Sequence, residues 1–293
     1  LTGELTGGRV EKDNDYVNVF LTIFYVHGGD IMAGVSTYSL RTTIAESREE
    51  MGNAAGLCGE QLLVSLLSEK DTVRIIMGSA PSQDEVLGYV RDSTKIDWSR
   101  VEIFHMDEYI GVSPENPVSF SNYLERTVIA QLPVKKFHKM IIDPDDPEAS
   151  CIEYAHRLME APIDLVFLGI GENGHIAFND PAMADLKDPV AMKVVTLDAE
   201  CRMQQVHDGC FANFDLVPQY AVTLTVPTLM SGRHLVCTVP GAKKNKACLR
   251  MLMGSVSAEC PATAMRVHRD CHLFLDHESG RGVAALETAT LKL

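Results

Sequence analysis

The sequence predicts an α/β fold, an open and mainly parallel sheet covered by helices on both faces, and three observations predict it. Short, wholly or largely apolar runs such as Val73–Met77 and Ile163–Leu168 recur along the chain, as expected of strands buried on both sides. Stretches with helical spacing of apolar residues lie between them. Polar, glycine-bearing segments follow directly after several of the runs, where the crevices of such sheets lie.

Taken in order, the chain opens on a segment unlike the rest. Val17–Val26 is an apolar run, shorter than the ~20 residues a membrane helix needs. It lacks the basic flank and small-residue cleavage site of a signal peptide. Residues 1–37 are therefore read as an N-terminal extension, with an extra strand, a disordered tail or a non-native addition all open, and Met32 as an alternative start of the folded unit. Residues 38–293 are read as one α/β domain. Leu40–Leu67 reads as helical, carrying Ala45, Met51, Ala55, Leu62, Leu63 and Leu66 among charged residues. Val73–Met77 is a strand. Ser82–Tyr89 starts a helix, with Ser82 and Glu85 in capping-box spacing. Val101–Phe104, Ile163–Leu168, Val222–Val226, Leu235–Val239 and His272–Leu275 are further strands, and Ala247–Met253 is a helix. No repeat, low-complexity tract or interdomain linker interrupts them.

Composition narrows the function. Of 293 residues, 46% are hydrophobic and 23% charged, ordinary for a globular chain. The net charge of -14 argues against nucleic-acid binding but allows a small phosphorylated ligand held by a few local donors. The eight cysteines form no C-x-x-C pair. They read as reduced thiols of a cytoplasmic protein rather than as disulfides or a zinc site. The ten histidines show no metal-ligand spacing.

Four loops carry candidate chemistry. Gly78-Ser79-Ala80-Pro81-Ser82 offers backbone N–H groups and a helix start to an anion. Met106-Asp107-Glu108-Tyr109 sets two carboxylates at a strand end, of which one could face a site and the other be paired or solvated. Gly169–Pro181 contains a literal G-x-G-x-x-G, but no clear amphipathic helix follows and Pro181 comes soon after. A dinucleotide site is therefore rejected in favour of a turn that delivers His175 and a carboxylate for proton transfer. Pro240–Lys246 gathers three lysines in four residues. Taken alone, the other three loops also read as an ordinary helix-opening turn, a polar loop and a solvated basic turn.

Together, MDEY at Met106–Tyr109, G-x-G-x-N-G-H-I-A-F-N-x-P at Gly169–Pro181 and the VPGAKK turn resemble the glucosamine-6-phosphate deaminase family, from about residue 38 to the C-terminus. That family shares a superfamily with the 6-phosphogluconolactonases, which lack the F-N-x-P continuation. The resemblance implies a sugar-phosphate isomerase-like sheet, no metal and no organic cofactor. It implies a small-molecule sugar phosphate as partner, neither nucleic acid nor membrane, and a homo-oligomer. It implies ring opening of a hexosamine 6-phosphate through His175, proton transfer from C2 by Asp107, and release of ammonia. Asn173 and Asp180 would orient His175. Gly78, Ser79, Ser82, Arg202 and Lys244 would hold the phosphate. Three departures stand out. Asp180 replaces the usual glutamate and draws the carboxylate back by ~1.5 Å, enough to cost ~10²-fold in rate unless the loop compensates. Asn173 replaces an aspartate found in some members. Ala80 lacks the hydroxyl of the usual threonine, leaving Ser79 or Ser82 to replace it. A lactonase-like hydrolase and a non-catalytic sugar-phosphate sensor are the alternatives.

Overall fold

The computed structural model describes residues 22–27, 30–33 and 40–283. Its strands are β1 (Thr22–His27), β2 (Asp30–Ala33), β3 (Leu40–Ala45), β4 (Val73–Met77), β5 (Val101–His105), β6 (Asp107–Tyr109), β7 (Lys136–His138), β8 (Leu165–Leu168), β9 (Met192–Thr196), β10 (Tyr220–Leu224), β11 (His234–Val239) and β12 (Cys271–Asp276). Its helices are α1 (Arg48–Glu69), α2 (Asp84–Asp92), α3 (Phe120–Thr127), α4 (Pro147–Met159), α5 (Ala199–His207), α6 (Val226–Met230) and α7 (Asn245–Met253). Among the described residues, no helix is long and apolar enough to cross a membrane.

Nine strands form one sheet in the order β2-β1-β3-β12-β11-β8-β4-β5-β7. Every pairing in it is parallel except β1 with β2. The period-2 alternation of strand side chains divides the core cleanly. Ile75, Ile103, Leu165, Phe167 and Val236 pack under α1, α2 and α3. Ile76, Phe104, Val166, Leu168, Leu235 and Cys237 pack on the other face with α4 and α7. Strands buried on both faces explain the near-continuous apolar runs. The order of winding reverses between β8 and β4, and ligand crevices open at such a switch point.

Several boundaries differ from the sequence reading. Leu40–Leu67 is not one helix. Leu40–Ala45 is strand β3, and the helix starts only at Arg48, where Ser47 caps it by accepting the Glu50 N–H at 3.1 Å. The Thr42-Thr43-Ile44 run favours a strand. Ser82 does not cap a helix: Pro81–Gln83 form a 3₁₀ turn ahead of α2, and Glu85 instead pairs with Arg48 at 2.6 Å. The strand expected at Val222–Val226 is Tyr220–Leu224, and it belongs to a separate antiparallel sheet, β6-β10-β9. Pro227, in the first turn of α6, ends strand pairing there. Within the segment read as an extension, β1 pairs in parallel with β3 at one edge of the large sheet. Residues 1–21 lie outside the described residues.

Candidate active site

Strands β11, β8, β4 and β5 are consecutive in the sheet. Their carboxyl ends therefore bring all four candidate loops to one place. A cleft forms between these loops, at the carboxyl ends of the strands where ligands of such sheets bind. Gly78, Ser79, Ser82, Asp107, His175 and Lys244 all line it.

Asp107 and Glu108 face different ways, as two successive residues of a strand must. Glu108 is buried and satisfied: it accepts the Ser119 hydroxyl at 2.8 Å and the N–H groups of Tyr109, Phe120 and Ser121 at 2.9–3.1 Å. A carboxylate at the N-terminus of α3 also meets the favourable end of the helix dipole. Asp107 is its opposite. It is 7% exposed and its carboxylate has no hydrogen bond or ion pair among the described residues. Burial, then the charge of Glu108, raises its pKa well above the ordinary carboxylate range. A desolvated carboxylate without partners is a strong base aimed into the cleft.

The imidazole of His175 stacks close to the backbone of Gly171. A Cβ there would lie 2.2 Å from its Cε1 and Nε2 atoms, which is why the turn needs this glycine. Gly174 takes φ +93°, and Ala177 takes φ +48°, a conformation that costs a non-glycine residue ~1–3 kcal/mol and recurs at functional sites. Behind the ring, His175 Nδ1 lies 3.0 Å from Asp180 Oδ1. That oxygen also accepts the Asn173 side-chain amide at 3.0 Å, and Asp180 Oδ2 accepts the Asp198 N–H at 3.1 Å. Burial raises the Asp180 pKa, but His175, Asn173 and the Asp198 amide outweigh it, and the net shift is downward. Asp180 therefore stays ionised beside the imidazole. The shorter side chain does come within 3.0 Å of His175. Asn173 braces the pair from behind: its amide oxygen accepts the His175 backbone N–H at 2.9 Å, while its nitrogen donates to Asp180 and Asp198.

Cys201 completes a buried trio with His175 and Asp180, whose donor atoms lie within 4.8 Å of one another. Burial, then Asp180 and Asp198, pushes the thiol well up, and the Asp180 oxygens are already engaged by hydrogen-bond donors. The trio has the chemistry of a close His–Asp pair, 3.0 Å apart, backed by a neutral thiol.

At the other end of the cleft, Lys244 is 6% exposed and its ammonium makes no hydrogen bond or ion pair among the described residues. Burial lowers its pKa. An anion in the cleft would relieve that cost. Ser79 Oγ is also buried without a partner. The Gly78 N–H is taken by Phe167 O at 2.8 Å, but no hydrogen bond to the described residues uses the N–H groups of Ser79 and Ala80. Together these groups offer an anion a cation, a hydroxyl and two backbone N–H groups.

Arg202 is not among them. Its guanidinium donates to the carbonyls of Val217 and Phe214 at 2.7–3.2 Å and lies 4.0 Å from the Phe214 ring centroid. The reason is helical rotation: α5 turns Cys201, Gln204 and Gln205 inward and carries Arg202 away from them. The residues α5 does deliver to the cleft are Gln204 and Gln205, and Gln83 joins them from the 3₁₀ turn. The sequence reading missed all three. The usable signal was Asp198, which caps α5 by accepting the Cys201 N–H at 2.7 Å and fixes which residues point inward.

Comparison with known proteins identifies the family and the fold. The sequence model of the family described as glucosamine-6-phosphate isomerases/6-phosphogluconolactonase matches residues 46–273. A glucosamine-6-phosphate deaminase of Exiguobacterium sp. is 33% identical over 206 residues, 66% of this chain and 78% of that protein. Another, from Lactobacillus delbrueckii subsp. bulgaricus, is 28% identical over 242 residues, 81% of this chain and 97% of that protein. Among solved structures, a monomeric glucosamine-6-phosphate deaminase superposes with a TM-score of 0.74 at 24% identity, over 82% of this chain and 98% of that one. The 6-phosphogluconolactonase of Thermotoga maritima gives 0.65 at 18% identity, over 81% of this chain and 100% of that one. At such identities, these superpositions speak for the fold.

Proposed function

The chain belongs to the glucosamine-6-phosphate isomerase/6-phosphogluconolactonase family, and within it we propose that this protein is an aldose-ketose isomerase/deaminase that converts glucosamine 6-phosphate to fructose 6-phosphate and ammonia. One observation carries the reading: a buried carboxylate without partners, Asp107, shares a single cleft with His175 and with the uncommitted cation Lys244.

Each group has a task. Lys244 and the Ser79–Ala80 amides bind the phosphate and fix the sugar. His175 passes a proton between the anomeric hydroxyl and the ring oxygen, which opens the ring; Asp180 holds the imidazole and stabilises its protonated form. Asp107 then takes the C2 proton and returns it to C1 as the double bond moves, while O1 gains a proton and the C2 amino group gives one up. The product is a C2 imine, which water hydrolyses with release of ammonia. Such positioned proton transfers contribute on the order of 10²–10⁴-fold each. A lactonase needs a base for water but none at C2, so it gives Asp107 no task.

The test is ammonia release from glucosamine 6-phosphate by the purified protein, with His175→Ala as control. Release that disappears in the variant supports the reading. A folded, phosphate-binding wild-type protein that releases no ammonia discards this substrate.

A further inference from the structure

The cleft has one lysine, yet a phosphate ester carries close to two negative charges at neutral pH. The remaining contacts must come from neutral donors. Three buried glutamines, Gln83, Gln204 and Gln205, line the cleft, and their hydrogen bonds distinguish them. Gln204 is committed at both ends: Oε1 accepts the Glu172 N–H at 2.8 Å, and Nε2 donates to Asp208 Oδ2 at 3.3 Å. Gln83 donates Nε2 to Thr238 O at 3.4 Å and leaves Oε1, an acceptor, without a partner. Gln205 is committed on one side. Its Oε1 accepts the Tyr109 hydroxyl at 2.9 Å, and its Nε2 has no partner among the described residues. Of the three, it alone has both side-chain N–H groups uncommitted among the described residues, since Gln83 and Gln204 each use one.

Tyr109 holds the amide in that orientation. The tyrosine is 1% exposed and packs against Phe120, Phe178 and Phe211 with ring centroids 4.8, 5.4 and 5.5 Å away. Three rings thus fix the direction of its hydroxyl. That hydroxyl occupies the amide oxygen and leaves the nitrogen for a ligand. Lys244 lines the same cleft as Gln205. Gln205 thus links Tyr109 of β6 to the cleft that Lys244 also lines.

We propose that Gln205 is the neutral donor that completes the phosphate site with Lys244, and that Tyr109 is its positioning residue; the inference rests on the sugar-phosphate reading of the cleft. Two substitutions separate donation from packing. Gln205→Met keeps the volume and removes both N–H groups. Gln205→Glu keeps an acceptor for Tyr109 but places an anion where the donor was.

Binding of inorganic phosphate is measured by calorimetry on the full chain, wild type and variants, with circular dichroism to verify folding. Gln205→Met should weaken phosphate about tenfold, and Gln205→Glu should weaken it further. Tyr109→Phe should weaken it severalfold, but add nothing to Gln205→Met in the double variant. With glucosamine 6-phosphate, Gln205→Met should raise KM and leave kcat within about twofold. Phosphate binding by folded Gln205→Met or Gln205→Glu equal to wild type would overturn the proposal. So would a fall in kcat at unchanged KM, or a wild-type protein that binds no phosphate. Phosphate binding that depends on Gln205 in a protein that releases no ammonia supports this assignment while removing the substrate named above.

Discussion

Replacing Asp180 by asparagine tests the least conventional part of the site. Three groups converge on the two oxygens of Asp180: His175 Nδ1 at 3.0 Å, the Asn173 amide at 3.0 Å and the Asp198 N–H at 3.1 Å. Asparagine offers one oxygen. Whichever way the amide is turned, its NH₂ faces either His175 or the Asp198 N–H. One charge-assisted bond is lost outright, worth about 1.5–3 kcal/mol, in a residue that is 0% exposed. The melting temperature should fall by about 4–10 °C at pH 7. Ammonia release should fall by about 10²–10⁴-fold, because the imidazole loses its partner carboxylate. The loss should also depend on pH. The Asp180 pKa is depressed in the fold, so its stabilisation is present above the ordinary aspartate value of about 4 and disappears as pH falls through the folded value. The gap between the two melting curves should therefore narrow below about pH 4. A variant within threefold of wild-type activity, or a melting gap that persists undiminished in acid, would refute this account of the His175–Asp180 pair.

Asp107→Asn should act in the opposite sense on stability. The Asp107 pKa is raised by burial, so the fold is penalised as pH rises through that value; the variant should gain about 1–2 kcal/mol, or about 2–8 °C, near pH 8 and less near pH 4. For the same reason, the acid limb of kcat/KM should lie above the ordinary aspartate value of about 4, since the base works only when ionised; a limb at or below that value contradicts the environment described. Gly171→Ala would set a Cβ 2.2 Å from the His175 ring; it should cut kcat at least tenfold by displacing the imidazole, while inorganic phosphate binding by calorimetry stays within about twofold. Lys244→Met should raise KM about 10–100-fold and also raise the melting temperature in phosphate-free buffer, because it removes a buried cation without a partner.

Much of this was legible in the sequence because strand-end loops in a parallel sheet must converge. The apolar runs located β4, β5, β8 and β11, and the segments after them carried Gly78, Asp107, His175 and Lys244. What could not be read was rotation and reach. Arg202 sits one helical step from Cys201, and only the cap at Asp198 decides that Gln205 faces the cleft and Arg202 faces Val217. The shorter Asp180 looked deficient by one methylene, yet its carboxylate lies 3.0 Å from His175. Leu40–Ala45 merged with α1 because an apolar count over a long window does not register a break at a capping serine. The antiparallel sheet was missed because β6 and β9 are short and pair only through contacts distant in sequence.

The most direct test follows hydrogen at C2. Glucosamine 6-phosphate deuterated at C2 is incubated in ordinary water with wild type and with Asp107→Asn, and the isotope is followed by NMR in recovered substrate and product. Wild type should remove deuterium from C2 and deliver part of it to C1 of the ketose, while Asp107→Asn should do neither yet still bind inorganic phosphate. Loss of C2 deuterium at the wild-type rate in the variant would show that another group is the base.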